Sequence, residues 1–284
     1  MIHELPLDRR TLHGHFSREL EPVLAVDPGD SVRFAVPNAG WRLDDRTLFE
    51  PRSSPEDDGH ALAGPIEVRG ARAGQTLVVG IDEVTPGPWG ETWGEGRRIE
   101  WELDGIDGVA STGHRVRLAP FLGVLGMPPD AAGLHSTTPP RTHGGNLDCK
   151  ELVAGTTLYL PAPVDGALFS AGDGHAAQGD GEVSGTAIEC PCSARLTLGL
   201  RDDLPLERPL ARVEGAWLAF GMATDLDTAA AQAVEGLLGL MAREHGLERP
   251  EALALASVVA DLRITQVVNE QVGVHAVLRD DAFR

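Results

Sequence analysis

The sequence predicts a mainly β protein, a jelly-roll or barrel-like β sandwich, with a smaller α+β portion at its C-terminal end. The 284 residues include 34 glycines and 20 prolines, which indicate many turns. A turn followed by an alternating strand recurs near 26–34, 71–79 and 152–160. Helical periodicity is confined to the C-terminal part of the chain. We therefore expect a β-rich portion over 1–205 and an α+β portion over 206–284.

The recurring unit combines a glycine turn with a half-buried strand. Gly29, Gly74 and Gly155 each lie in a turn, and Ser or Thr and an alternating run follow each one. Alternation places successive side chains on opposite faces, so each run predicts a strand with one face in the core. The units are unevenly spaced, which excludes a solenoid.

Three segments of the β portion are predicted to be loops. Residues 50–60 are polar and turn-rich, and proline and glycine break up 120–141 into a long ordered loop. Residues 85–96 form a Gly/Pro loop that holds Trp89 and Trp93. These tryptophans either wall a pocket or oligomer interface or pack onto the sheet edge.

The C-terminal portion carries helix signals. Asp225 or Asp227 can cap a helix whose apolar stripe is core, and Gly246 suits its C-terminal end. Pro250 begins a second helix that runs to about Asp261. Alternation then predicts strands over 263–268 and 274–278.

Composition excludes several classes of protein. The net charge is −19 and no Lys/Arg cluster is present, so a nucleic-acid partner is not expected. Three cysteines, Cys149, Cys190 and Cys192, imply no disulfide framework. The sequence shows neither a signal-peptide core nor an apolar run long enough for a bilayer. We expect a soluble, cytoplasmic protein without a membrane partner.

A dense cluster of Gly, Asp, Asn and His spans 143–189. Its first group comprises His143, Gly145, Asn146 and Asp148, and its second comprises Asp173, His175, Gln178, Gly181 and Glu182, with Glu189 following. Such ionisable groups bind metals or move protons. The alternative is a pair of polar surface loops, where these turn-forming residues are common.

Other hydrolytic signatures are absent. Ser170 and Ser184 both lack the first glycine of a Gly-x-Ser-x-Gly elbow, and no HExxH motif occurs. A Cys149 nucleophile is possible, but Asp148 and Glu151 nearby oppose thiolate formation. A site of metal and carboxylates remains.

The cluster mixes nitrogen and oxygen ligands, which suits zinc or a similar divalent ion. His143, Asp148, Asp173 and His175 could supply them, and His15 belongs to an N-terminal segment that predicts a strand with His13 and His15 on one face. The alternative for this pair is two surface histidines on an edge strand. A bound metal would polarise an amide carbonyl and activate water.

Proton transfer needs a further group because an unprotonated amide ion leaves poorly. Glu182 or Glu189 could carry the proton from the water to the leaving nitrogen. Asn146 and nearby glycine N–H groups could donate hydrogen bonds to the developing oxyanion. We expect the reaction to take place between 143–148 and 173–182.

Several stretches resemble the acetamidase/formamidase family. They are HGGNLD, LYLPAPVDGALFSAGDGHAAQGDGEVSGTAIE, HGHFS, PVLAVDPGDSV, GPIEVRGARAGQTLVV, PFLGVLG and DLRITQVVN, and they extend over nearly the whole chain. The resemblance implies hydrolysis of formamide or acetamide to the acid and ammonia. It also implies a largely β fold with a smaller α+β portion, and a homo-oligomer, for which we expect a dimer.

Residues that match the family motifs are assigned expected roles. The catalytic group comprises Asn146, Asp148, Glu182 and Glu189; the substrate-binding group comprises Gly145, Gln178 and Gly181; the metal ligands comprise His15, His143, Asp173 and His175. The segment 85–118 departs from the family pattern, which leaves pocket shape and substrate open. Two alternatives remain: a hydrolase of a carbamate or N-formyl compound, and a non-catalytic β-barrel that binds a small ligand or metal.

Overall fold

The computed structural model describes residues 1–283, which form a mainly β protein with two helices near the C-terminal end. This confirms the predicted fold class. Within residues 1–283, neither helix has the length and apolar character that crossing a membrane requires.

The strands up to the central cluster are β1 (Ile2–Leu5), β2 (Leu12–His13), β3 (Leu24–Val26), β4 (Ser31–Val36), β5 (Leu62–Val68), β6 (Thr76–Pro86), β7 (Trp89–Gly94), β8 (Arg97–Leu103), β9 (Asp107–Ala110), β10 (Arg115–Arg117), β11 (Phe121–Gly126) and β12 (Pro140–Arg141). The remaining elements are β13 (Gly144–Asn146), β14 (Thr156–Pro161), β15 (Phe169–His175), β16 (Glu189–Cys190), β17 (Cys192–Arg201), β18 (Leu210–Val213), β19 (Ala216–Ala223), α1 (Leu226–His245), α2 (Arg249–Val259), β20 (Ala260–Gln266) and β21 (Val272–Arg279).

Two large sheets organise the chain. The first has nine strands in the order β1-β4-β17-β6-β14-β18-β19-β21-β20. The second has twelve, with the main path β10-β9-β8-β7-β16-β15-β11-β13-β12 and with β2, β3 and β5 joined through the pairing of β5 with β15. The three predicted turn–strand units became β4, β6 and β14, all in the first sheet.

The main core lies between the two sheets. Val79 and Leu196 from the first sheet and Ile66, Leu122 and Phe169 from the second belong to one buried cluster. Burial alternates along β14, as expected for a strand with one face in this core. The second sheet can therefore hold polar residues on its other face.

The C-terminal portion extends the first sheet. Leu158 of β14 pairs with Ala211 of β18, so the sheet continues from 1–205 into 206–284. A second buried cluster joins α1, α2 and the strands β19 and β21. Asp225 caps α1 by accepting from the Thr228 N–H at 2.8 Å, and Gly246 ends it at φ 67°.

Two of the predicted loops are strands. β7 lies inside 85–96 and pairs with β8, and β11 lies inside 120–141. All six residues of β11 are buried between β13 and β15. The glycines of β11 do not break the strand. Gly126 is needed because a side chain has no room there: a Cβ at this position would lie 2.2 Å from the Gly145 nitrogen. Close approach of a neighbouring strand is the reason for this glycine.

Candidate active site

A cavity of about 230 Å³ opens on the second sheet beside β15. Strands β7, β13, β15 and β16 contribute polar side chains to its wall, and loops contribute others. The ionisable and amide groups of the wall are Asn38, His60, Glu91, Asn146, Asp148, Asp173, His175, Glu182, Glu189 and Asn269. The predicted site residues among them are Asn146, Asp148, Asp173, His175, Glu182 and Glu189.

Strand β15 carries two of the central groups. Asp173 and His175 are two residues apart, so their side chains point to the same face of the strand. Between them, Gly174 has no room for a side chain, because a Cβ there would lie 2.6 Å from the Cys190 carbonyl oxygen. The glycine lets β16 approach closely, and β16 brings Glu189 opposite His175 in the pairing.

Strand β11 leaves the space in which these side chains meet. A Cβ at Gly123 would lie 2.4 Å from Asp173 Oδ2, 2.7 Å from Asp148 Oδ1 and 2.9 Å from His175 Cε1. Any larger residue at position 123 would displace three polar groups at once. The glycine of PFLGVLG is therefore part of the site's architecture.

Three carboxylates of the site have a strained backbone. Asp148, Asp173 and Glu182 have φ values of 46°, 62° and 43°. Non-glycine residues rarely adopt this left-handed region, and such strain clusters at functional sites. The fold therefore holds these carboxylates in place against a local conformational preference.

His175 is the centre of the contacts. Its Nε2 lies 3.4 Å from Asp173 Oδ2 and 3.2 Å from Glu189 Oε2. Its Nδ1 lies 3.0 Å from Gln178 Oε1, and the Gln178 amide nitrogen donates to the Asp148 carbonyl oxygen at 2.7 Å. Because that amide nitrogen is the donor, Gln178 Oε1 accepts from Nδ1–H of His175. Gln178 thus orients the imidazole from behind the cavity wall.

Opposite charges set the protonation of His175. Burial lowers its pKa, but the carboxylates of Glu189 and Asp173 outweigh burial and raise the pKa well above its usual value. Burial likewise raises the pKa of Asp173, and the charges of His175 and His60 outweigh it and lower that pKa. The pair is an imidazolium beside a carboxylate at neutral pH.

The remaining carboxyls hold their protons more tightly. Burial, together with repulsion from neighbouring carboxylates, raises the pKa of Asp148, Glu182 and Glu189 despite the nearby His175 charge. For Glu182 the pKa rises to about 7. A carboxyl with this pKa can both accept and donate a proton at neutral pH.

The wall contains groups that could bind a metal ion. Ligand atoms of Asp148, His175 and Glu182 lie within 4.8 Å of one another, and so do those of Asp173, His175 and Glu189. Buried oxygens from all four carboxylates make no hydrogen bond: Asp148 Oδ1, both Asp173 oxygens, Glu182 Oε2 and Glu189 Oε2. Buried polar atoms normally have partners, so these oxygens are available to a ligand.

Two residues of the C-terminal portion complete the site. Asn269 donates through Nδ2 to Asp148 Oδ2 at 2.8 Å, and Gln266 donates through Nε2 to the Asn146 carbonyl oxygen at 3.0 Å. Neither was predicted, since both lie about 120 residues from their partners along the chain. The stretch DLRITQVVN, which ends at Asn269, was the signal that could have indicated them.

Asn38, His60 and Glu91, from the first hundred positions, also line the cavity and were not predicted. Glu91 of β7 pairs with Glu189 of β16 in the sheet, and its side chain contacts Arg98 Nε at 2.7 Å. Trp93 lines the cavity with 43% of its surface exposed, whereas Trp89 is buried. Each tryptophan thus follows one of the two predicted alternatives.

Two of the predicted metal ligands lie elsewhere. His143 precedes Gly144, which pairs with Gly126 at one end of β11, whereas His175 pairs with Phe121 at the other end. Five residues of strand separate these pairs, roughly 17 Å. The structure therefore does not bring His143 to His175, because β13 runs along β11 and away from the cavity.

His15 is also held by other contacts. It is buried, and its Nδ1 forms a hydrogen bond with the Glu56 carbonyl oxygen at 2.7 Å. It does not line the cavity. The segments 143–148 and 173–182 therefore meet through Asn146 and Asp148 rather than through their histidines.

The predicted substrate-binding glycines have structural positions. Gly145 pairs with Leu125 in the sheet, and the Gly181 N–H donates to the Thr265 carbonyl oxygen. Neither lines the cavity. Gly181 instead helps to place the adjacent Glu182, which does line it.

Comparisons with known proteins agree with this picture. A model of the acetamidase/formamidase family matches residues 129–278, which is more than half of the chain. The formamidase of Methylophilus methylotrophus is 26% identical over 278 residues, covering 71% of this chain and 68% of that protein. The acetamidase of Mycolicibacterium smegmatis is 28% identical over 199 residues, covering 44% of this chain and 49% of that protein.

A solved structure shares the fold over nearly its full length. The crystal structure of an acetamidase from Bacillus halodurans superimposes with a TM-score of 0.86 at 29% sequence identity. The match covers 97% of both chains. Both sheets and the C-terminal helices therefore belong to an architecture seen in a protein of that name.

Proposed function

This chain belongs to the acetamidase/formamidase family and is an amidohydrolase, and we propose that it cleaves the C–N bond of formamide or acetamide to a carboxylate and ammonia. The observation that carries the choice of substrate is the small cavity lined by buried carboxyls and by His60 and His175. Its size and its polarity each favour a short amide.

Size restricts the substrate. The cavity of about 230 Å³ lies below the roughly 300–1,000 Å³ that is usual for ligand pockets. Trp93 and Glu91 form part of its wall and leave little room for a long acyl chain. A one- or two-carbon acyl group fits this limit.

Polarity suits an amide. A primary amide has two N–H donors and one carbonyl acceptor, and the wall offers acceptors without protein partners at Asn146 Oδ1 and Glu189 Oε2. We assign Asn146 and Glu189 to binding and orienting the amide group. Fixing the carbonyl carbon beside a water molecule supplies the proximity that hydrolysis needs.

Glu182 is the proposed proton carrier. Its pKa of about 7 allows the ionised carboxylate to take a proton from the attacking water and then give it to the leaving nitrogen. Asp148 lies beside Glu182, since ligand atoms of the two side chains are within 4.8 Å. Burial and the charges of Glu189 and Asp173 keep the Glu182 pKa high, whereas the Asp148 side chain lowers it. The proposed role of Asp148 is to hold the Glu182 carboxyl in position beside the substrate.

A divalent metal ion, zinc in our proposal, fits the wall. Asp173, His175 and Glu189, or Asp148, His175 and Glu182, would hold it, because each of these carboxyls has a buried oxygen without a hydrogen-bond partner. The ion would take the place of the proton on His175 Nε2, since Nδ1–H is bonded to Gln178. When bound, such an ion polarises a carbonyl and lowers the pKa of water. With His15 and His143 elsewhere, the ligands are one nitrogen and several oxygens, a set that also suits Mn²⁺.

Ammonia release tests the activity. The purified protein, supplied with Zn²⁺ or Mn²⁺, is expected to release ammonia from formamide or acetamide. His175→Ala should abolish the release. His114→Ala should not, because the His114 side chain is exposed, is bonded to the Thr112 hydroxyl and does not line the cavity. Failure to turn over any short amide would contradict the proposal.

The same assay separates the alternatives. Higher kcat/KM for a carbamate or an N-formyl compound would assign the site to that substrate class. Tight amide binding without turnover would assign it to a binding protein. Elemental analysis of the purified protein identifies the metal. If His175→Ala loses that metal and His143→Ala keeps it, the result would support a ligand set that includes His175 and leaves out His143.

We also propose a cytoplasmic homodimer. The three cysteines are buried and free in the structure, which suits a reducing compartment. The dimer rests on the family resemblance. Light scattering after size-exclusion chromatography measures the mass, and a monomeric mass at micromolar concentration would exclude the dimer.

A further inference from the structure

A second cluster of ligand-type side chains lies outside the cavity, beside the C-terminal strands. We infer that Cys149, Glu151 and His275 form a binding site for a zinc-class divalent cation, distinct from the cavity that holds His175. One ligand atom from each of the three lies within 4.8 Å of the others. The set of one sulfur, one nitrogen and one oxygen is typical of zinc ligands.

Glu151 Oε2 is the shared contact of the cluster. Cys149 Sγ lies 3.3 Å from this oxygen, and His275 Nε2 lies 3.7 Å from it. Cys149 and His275 are fully buried, and Glu151 is 15% exposed at its side chain. A cation could therefore enter past Glu151 and then be almost completely enclosed by the protein.

His275 is oriented as a metal-binding histidine is. Its Nδ1 forms a hydrogen bond with Thr265 Oγ1 at 2.8 Å, and its Nε2 is buried without any hydrogen-bond partner. An unpaired buried nitrogen is costly unless a ligand takes it. Metal-binding histidines ordinarily bond through the other ring nitrogen to a carboxylate, a backbone carbonyl or water, which fixes the ring. The Thr265 hydroxyl occupies that position beside His275.

Glu151 is oriented in the same way. Its other oxygen, Oε1, lies 2.5 Å from Arg263 Nη1, so the guanidinium holds the carboxylate while Oε2 faces Cys149 and His275. His275 and Glu151 thus each have one atom fixed by a neighbour and one atom directed into the cluster. In metal sites, residues behind the ligands fix them in this way.

The surrounding charges permit a cation. Asp180 contacts Lys150 Nζ at 3.0 Å and Arg263 at 2.7 Å. With Glu151, these side chains carry two positive and two negative charges, which cancel. Binding converts the Cys149 thiol to a metal thiolate and releases its proton to solvent, so the cluster gains a net charge of one.

The cluster joins segments that also line the cavity. Cys149 directly follows Asp148, and the Thr265 carbonyl oxygen accepts from the Gly181 N–H, next to Glu182. A cation held at Cys149, Glu151 and His275 would brace Asp148, Glu182 and the strand that leads to Asn269. The site thus acts as a structural clamp between the two portions of the chain.

Cobalt spectroscopy tests the site. The full-length protein, freed of metal by chelation, is titrated with Co²⁺, and a thiolate-to-cobalt charge-transfer band is expected in the near ultraviolet. Cys149→Ser should abolish the band. His175→Ala should retain it, because the cavity wall contains no cysteine. A wild-type protein without the band, or a band that persists in Cys149→Ser, would overturn the inference.

A second variant covers the case in which Cys149→Ser fails to fold. Thr265→Val removes the hydrogen bond to His275 and leaves all three ligands, so Zn²⁺ affinity should fall by roughly 10–100-fold. Zn²⁺ should also raise the melting temperature of the wild type more than that of Thr265→Val. Equal Zn²⁺ affinity in the two proteins would count against the site, whatever the amide-hydrolysis assay shows.

Discussion

At the scale of single residues, the surroundings of Glu182 determine the proton transfer that this side chain can carry out. Burial and the neighbouring carboxylates raise its pKa to about 7, whereas an ordinary Glu has lost its proton well below that pH. The raised pKa places a reversible proton donor where a water molecule and an amide would meet. The same feature has consequences for both rate and stability.

The first prediction concerns the rate. Glu182→Gln cannot transfer a proton, so kcat for formamide should fall by about 10²–10⁴-fold. The wild-type pH–rate profile should show a limb near pH 7, and this limb should be missing from the residual activity of the variant. Glu214→Gln, an exposed change of the same type, serves as the control. An unchanged kcat in Glu182→Gln would remove Glu182 from the mechanism.

The second prediction concerns stability. The folded-state pKa of Glu182 is raised above its usual 4.5, so the stability it contributes is present below pH 4.5 and is lost as pH rises through about 7. In chelator-treated protein, Glu182→Gln should therefore raise the melting temperature at pH 8 by several degrees. At pH 4.5 the two proteins should differ little. Thermal melts at both pH values make the comparison, and equal melting temperatures at pH 8 would contradict it.

At the scale of the elements, β11 shows why a strand can contain glycines. Gly123 faces the site carboxylates, and Gly126 faces the backbone of β13. Each glycine is required by a neighbour rather than by a turn. The local pattern therefore suggested a loop where the structure has a fully buried strand.

The third prediction follows from Gly123. Gly123→Ala should lower kcat/KM at least 10-fold, because its Cβ would displace Asp173, Asp148 and His175. Gly199→Ala in β17 is the matched control, since its Cβ would meet only Val78 at an ordinary 3.7 Å. Steady-state kinetics with circular dichroism separates loss of function from loss of fold. Equal kinetics in the two variants would show that the space above Gly123 is not needed.

The hairpin between β20 and β21 delivers Asn269 to the cavity. Asn269 and the neighbouring Glu270 have φ values of 64° and 66°, so both adopt the left-handed region. Only Asn269 reaches Asp148, with its side-chain amide. The hairpin thus couples the C-terminal portion to a carboxylate of the site.

The fourth prediction uses this pair of residues. Asn269→Gly keeps the backbone conformation and removes the hydrogen bond to Asp148. Because a buried carboxyl oxygen is then left without a partner, kcat/KM should fall by about 10–100-fold. Glu270→Gly makes the same backbone change without that loss and should retain activity. Measured rates that fall equally in both variants would mean that hairpin flexibility is the cause.

At the scale of the whole molecule, the site depends on both portions of the chain. The first sheet passes from β14 to β18, and the second portion supplies Asn269 and Gln266. The first sheet and the cavity wall each contain residues from both sides of residue 205. We therefore propose that 1–205 and 206–284 fold as one cooperative unit.

The fifth prediction tests that unit. A chain truncated after Pro205 would expose the edge of β14 and lose two partners of the site, so it should show neither amidase activity nor a cooperative thermal transition. Calorimetry and ammonia release measure the two properties. A truncated protein that melts cooperatively and cleaves formamide would show that the C-terminal portion is dispensable.

The sequence by itself determined those features that depend on neighbours along the chain. Alternation identified β4, β6 and β14, and caps placed α1 between Asp225 and Gly246. Such features follow from the periods of strands and helices. The long motif from 143 to 189 also contained most of the acidic groups of the cavity.

Only the tertiary structure decided which distant residues meet. Strand register placed His143 at the far end of β11 and Glu91 opposite Glu189. A hairpin about 120 residues away along the chain brought Asn269 to Asp148. Register is set by the packing of whole faces and not by any local pattern. The raised pKa of Glu182 has the same origin, because burial and neighbouring charges exist only after the chain has folded.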